Sequence, residues 1–98
     1  MKHFIIIIHY LEDIQRIREI RPRHSVFLDK AYKNGVALFS GPQASQTGGI
    51  IAARGKTIEE IKKFFDEDPY QKERVAEYQY IEFEPVHYQS FLEEWVKK

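Results

Sequence analysis

The chain predicts an α+β fold of the ferredoxin-like kind: βαββαβ, a four-stranded antiparallel sheet, and an extra C-terminal helix. Three observations carry that expectation. Apolar, β-branched runs and helical stripes follow one another as strand, helix, strand, strand, helix, strand. The length, 98 residues, holds one such domain and no second. The first strand is apolar at consecutive positions, as in a strand buried on both faces, yet two helices cover only one face of such a sheet.

His3 to Tyr10 is the first strand. Leu11 to Ile20 has Ile14, Ile17 and Ile20 at helical spacing, but Pro22 comes next, so a loop or a short helical turn is expected there. Pro22 suits the first position of a helix, where its missing N–H has no intrahelical partner in any case. That helix runs to about Asn34 and stops at Gly35, with Phe27, Leu28, Ala31 and Tyr32 as its apolar stripe. His24 lies one turn before Leu28 and shares the stripe.

Val36 to Ser40 is a short strand ending at Gly41-Pro42. A polar turn over Gln43–Thr47 leads to a strand over Gly48–Arg54, and the two form a hairpin. Thr57 to Glu60 matches a capping box opening a helix with Ile58, Ile61, Phe64 and Phe65 on one side. That helix ends near Asp68-Pro69, because a residue before proline disfavours the α region. Pro69 opens a short second turn with Asp68 as its N-cap. Glu77 to Glu84 is the last strand, and Gln89 to Lys98 a C-terminal helix with Phe91, Leu92, Trp95 and Val96 apolar. A single domain is expected over residues 1–98, its core about 1–85 and its helical extension about 86–98. The sheet face without helices is expected to meet a second copy in a two-fold homodimer.

Composition narrows the function. The 15 Lys+Arg balance 15 Asp+Glu, which argues against a nucleic-acid partner bound through phosphate neutralisation. No cysteine is present, so no disulfide, thiol nucleophile or Cys-ligated metal is expected. The apolar run Phe4 to Ile8 is far shorter than the roughly 20 residues of a membrane span, and no cleavage site comes after it; a cytoplasmic protein without a membrane partner is expected.

His3, His9 and His87 form no closely spaced pair of the metal-binding kind, and no metal site is expected. His24 stands out. In the first turn of a helix, the dipole disfavours a protonated imidazole, and a neutral ring beside a pocket serves as a general base; a hydrogen-bonded core histidine is the plainer alternative. Asp68 likewise is either a cap or a carboxylate that orients a histidine. Ser40 and Gly41 are turn residues or the mouth of a pocket. Arg16, Arg18, Arg21 and Arg23 either steer an anion or, with Glu12, Asp13 and Glu19 interleaved, form a solvated surface.

These pieces resemble the YCII-like family of the dimeric α+β barrel superfamily. The resemblance rests on the apolar first strand, Arg21-Pro22-Arg23-His24 with Leu28 after it, and Gly35. Ser40-Gly41-Pro42, Gly48-Gly49, Asp68-Pro69-Tyr70 and the closing strand with Phe83 complete it. It covers about residues 1–85; the tail and the Leu11–Ile20 connection depart from the pattern. It implies two sheets packed into a barrel-like homodimer and a His24–Asp68 dyad, with Ser40 nearby.

The expected function is then proton transfer on a small organic molecule by the catalytic pair His24 and Asp68, of a lyase, isomerase or dehydrohalogenase type. No cofactor is expected. Ser40, Gly41, Phe27 and Tyr70 would contact substrate. The alternatives are a dimeric module that binds a small metabolite without chemistry, and an interaction domain in which His24 and Asp68 are merely core and cap.

Overall fold

In the computed structural model, which describes residues 1–98, the order is β1 (Lys2–Tyr10), α1 (Ile14–Lys33), β2 (Ala37–Pro42), β3 (Gly48–Gly55), α2 (Ile58–Phe65), α3 (Pro69–Lys72), β4 (Ala76–Phe83) and, after a 3-10 turn at Ser90–Leu92, α4 (Glu93–Lys97). One antiparallel sheet has the strand order β2-β3-β1-β4. This is the expected α+β, ferredoxin-like arrangement.

Alternation along β1 divides the sheet into two faces. Phe4, Ile6 and Ile8 point to the helices and are buried with Ile17, Ile20, Ala31, Ile51, Ala53, Ile61 and Phe65 in one core. Ile5 and Ile7 point the other way, opposite Ala52 and Ile50 on β3. Ile81 on β4 pairs with Ile5, and Phe39 on β2 with Ala52. Gly48 is required where β3 meets β1: an added Cβ would stand 1.8 Å from the Ile8 carbonyl oxygen.

The expected helix start at Pro22 is corrected: α1 starts eight residues earlier. Asp13 is its N-cap, its Oδ1 accepting from the Arg16 N–H at 3.0 Å. Pro22 stands inside the helix on its exposed side and forgoes one backbone bond, a cost of about 3 kcal/mol. The added turns bury Ile17 and Ile20 completely, each worth about 1.5–3 kcal/mol, so extending the helix through the proline wins. His24 therefore lies in mid-helix, and no helix-end dipole acts on it.

Two further boundaries differ from expectation. Gly41 and Pro42 belong to β2, where an edge strand tolerates proline. The helix expected over Gln89–Lys98 is only α4 and the preceding turn; Phe91 is exposed, and Leu92, Trp95 and Val96 are half-buried. Trp95 tilts against His3 with ring centroids 5.2 Å apart, and Arg54 lies over the indole while its Nη1 donates to the Trp95 carbonyl at 2.7 Å. The tail thus covers only one end of the outer sheet face.

A bulge in β2 sets which way its second half faces. Ala37 pairs with Ala53 and Phe39 with Ala52, leaving Leu38 as the extra residue. One added residue reverses the alternation beyond it. Phe39 is sent to the outer face, and Ser40, opposite Ile51, to the helix side.

Candidate active site

Asp68 is wholly buried at the junction of α2 and α3. Its Oδ1 caps α3 by accepting from the Tyr70 N–H at 3.1 Å. Both carboxylate oxygens also face His24 Nδ1, at 2.9 and 2.8 Å, and Oδ2 accepts from the Tyr78 hydroxyl at 2.5 Å. The cap and the histidine partner are the same group in the same pose.

Where the carboxylate is ionised it only accepts hydrogen bonds, so Nδ1 is the donor of this pair, and in a neutral imidazole Nε2 is then the nitrogen with the lone pair. His24 is buried to 9% exposure, its Nε2 has no protein partner, and its ring lines a cavity. Tyr70 stacks on the imidazole, centroids 4.0 Å apart and planes 13° from parallel, which fixes the ring's tilt. Burial, and then the nearby Asp68 carboxylate, push the Tyr78 phenol far above its ordinary value. Tyr78 therefore remains a hydrogen-bond donor to Asp68 and not a second anion. Burial also pushes the Tyr70 phenol up.

The cavity measures about 240 Å³ and is bounded by α1, α3 and the β2–β3 edge. Its walls include Tyr10, Arg21, His24, Ser40, Gly41 and Tyr70. Drug-sized pockets hold about 300–1,000 Å³, so this one suits a ligand of about one ring. The bulge that turned Ser40 inward puts its hydroxyl at the wall, where it bonds the Tyr32 hydroxyl at 2.5 Å.

Of the residues singled out by sequence, His24, Asp68, Ser40, Gly41 and Tyr70 are brought to this one region. Phe27, expected to contact substrate, is not among the residues that line the cavity. One position before the cavity-lining Leu28, its ring packs on Phe64 and Phe65 at 5.3 and 5.8 Å, tying α1 to α2. Sequence marks Arg21 only as one of four arginines that either steer an anion or form a solvated surface; once α1 runs through Pro22, its spacing of three residues from His24 puts both on one helix face. Tyr78 reaches Asp68 through the sheet, and no local pattern marks it. No group of three or more His, Asp or Glu side chains comes together to hold a metal ion, and no helix is long and apolar enough to cross a membrane.

The family model of the YCII-related domain matches residues 1–84. Among solved structures, the chain is similar to the 5-chloro-2-hydroxyhydroquinone dehydrochlorinase TftG from Burkholderia phenoliruptrix AC1100, determined in complex with 2,5-dihydroxybenzoquinone. The TM-score is 0.69 at 17% identity, over 88% of this chain and 95% of that one, a likeness of fold. No curated protein sequence matches.

Proposed function

The chain belongs to the YCII-related domain family, and from that premise we propose that it is a homodimeric enzyme of small-molecule proton transfer, with His24 as the base and Asp68 as its orienting partner. The observation that carries the proposal is the buried pair itself: Nδ1 held by a carboxylate at 2.8 Å, leaving Nε2 to the cavity. In an elimination, Nε2 takes a proton from carbon. The C–H electrons form the new double bond, and the leaving group departs with its own pair. Asp68 stabilises the imidazolium so formed and keeps the ring from turning. In an isomerisation, the same nitrogen returns the proton to another carbon. Ser40, Gly41 and Tyr70 line the space where the substrate would sit. Neither step requires an electron carrier.

TftG removes chloride from a substituted hydroquinone by its name, which makes 5-chloro-2-hydroxyhydroquinone the first compound to offer this chain. The homodimer would form through the outer sheet face. Phe39, Ile50, Ile81 and Phe83 are 39–55% exposed there, a contiguous apolar surface of the sort that a second sheet covers. Ile50 also lines the cavity, so a partner on that face would reach its rim.

The test has a substrate-independent arm. Side-chain nitrogen NMR of His24 is expected to show the Nδ1–H tautomer, and Asp68→Asn to disturb it, since an amide presents a donor as well as an acceptor. Chloride release from the hydroquinone is expected to fall about 10²–10⁴-fold in His24→Ala. An Nε2–H tautomer in the native protein, or unchanged turnover in both variants, overturns the proposal. A ligand recovered unchanged from the native protein points instead to a metabolite-binding module.

A further inference from the structure

The arginines of α1 are not equivalent. Arg16 pairs with Glu19 and Glu73, and Arg23 with Glu73, all at the surface. Arg21 has no carboxylate partner. Its Nε donates to the Tyr70 hydroxyl and its Nη2 to the Tyr10 hydroxyl, both at 3.4 Å. Those two bonds occupy two of the five N–H donors of a guanidinium, and the rest have no protein partner. Burial keeps the Tyr70 phenol protonated, so it is no counter-ion. Asp68, the carboxylate of the site, is committed to His24, Tyr78 and the Tyr70 N–H. Arg21 is half-buried and lines the same cavity as His24, one helical turn away.

A half-buried cation without a counter-ion, held at a cavity wall by two tyrosine hydroxyls, is a prepared anion site. A guanidinium presents paired N–H groups that match the two oxygens of a carboxylate, and its orientation here is fixed before any ligand arrives. We propose that Arg21 is the anion anchor of this cavity and that the ligand is a small carboxylate, of about one ring in size, held by Arg21 with its reacting carbon toward His24 Nε2. The proposal rests on the cavity being the substrate site of the His24–Asp68 pair. It adds the charge of the ligand and the residue that selects it. Tyr10 and Tyr70 are then positioning residues for Arg21.

Benzoate and benzamide are matched probes, alike in shape and different in charge. Amide NMR titrations would follow Gly41 and Gly49, which line the cavity. Native protein is expected to bind benzoate about tenfold or more tightly than benzamide, the scale of a charge-assisted hydrogen bond. Arg21→Gln is expected to abolish the preference. Arg21→Lys, which keeps the charge and loses the fork, is expected to retain part of it, and guards against a variant that simply fails to fold. Asp68→Asn is expected to leave the preference in place, because it disturbs the dyad and not the anchor. No benzoate-induced shift at the cavity, equal affinity for both probes, or a preference surviving Arg21→Gln overturns the anchor. Failure of the dyad alone shows instead in the His24 tautomer, with the benzoate preference intact.

Discussion

Asp68→Ala separates a cap from a network by magnitude. An N-cap replaced by alanine costs about 0.5–2 kcal/mol, and the helix it caps here, α3, is only four residues long, which favours the low end. In the structure, however, Asp68 has no exposure and holds the His24 ring, the Tyr78 hydroxyl and the Tyr70 N–H together. Removing Asp68 leaves the donors of His24, Tyr70 and Tyr78 without a partner, at about 1–3 kcal/mol for each that stays buried. A domain of this length has a total stability of about 5–15 kcal/mol, so the variant is expected to stay folded in water and to lose much of its margin. Equilibrium urea unfolding at fixed protein concentration is the assay. With a slope of about 1–3 kcal/mol per molar, the midpoint is expected to fall by roughly 2 M. The cycle with Tyr78→Phe is expected to show a coupling of about 0.5–3 kcal/mol, since the phenol has no carboxylate to bond once Asp68 is gone. A loss below about 2 kcal/mol, additive with Tyr78→Phe, would refute the network and return Asp68 to a cap.

The outer sheet face predicts a dimer by sedimentation at micromolar concentration, and Ile7→Lys, in the centre of that face, is expected to yield monomers; a monomeric native protein would contradict it. At the tail, burial holds the His3 imidazole below its ordinary value of 6.5. The folded state thus resists a proton that the unfolded state accepts, so the contribution of His3 is complete above about 6.5 and is lost as the pH falls further. Trp95, the only tryptophan, packs on His3 and reports on this directly. Its fluorescence is expected to shift toward that of exposed indole on mild acidification in the native protein, and to stay constant in His3→Phe.

The strand succession, the hairpin and the Thr57 and Asp68 caps were all legible in sequence, because each depends on local chemistry: unbroken β-branched runs, glycine at turns, and hydroxyl or carboxylate groups just ahead of apolar helical stripes. Thr57 does accept from the Glu60 N–H at 3.1 Å, and Asp68 from the Tyr70 N–H. What local chemistry misjudged was Pro22. Its preference for a helix start is a matter of a few kcal/mol, and two fully buried isoleucines upstream outweigh it. Asp13 ahead of Ile14, Ile17 and Ile20 was the available sign of the true start. The bulge at Leu38 left no such sign, and it alone decides that Ser40 faces the helices and Phe39 the open side.

The meeting of His24 and Asp68 belongs to another level. Between a cap and a dyad, sequence presents a choice, because each role alone accounts for an aspartate before proline. In the structure one carboxylate makes both contacts, with His24 Nδ1 and with the Tyr70 N–H. Capping the short α3 fixes the carboxylate at one oxygen, and Pro69 fixes the backbone at the start of that helix. Tyr70 then carries its ring back over the imidazole and its hydroxyl to Arg21. The cap is therefore what aims the carboxylate, and the residue after the proline is what joins the histidine to the arginine. A four-residue helix has little stability of its own. Its presence at this point comes from the contacts that Asp68 and Tyr70 make with His24, Arg21 and Tyr78, so a substitution that frees Tyr70 should loosen α3 and unseat Asp68 together.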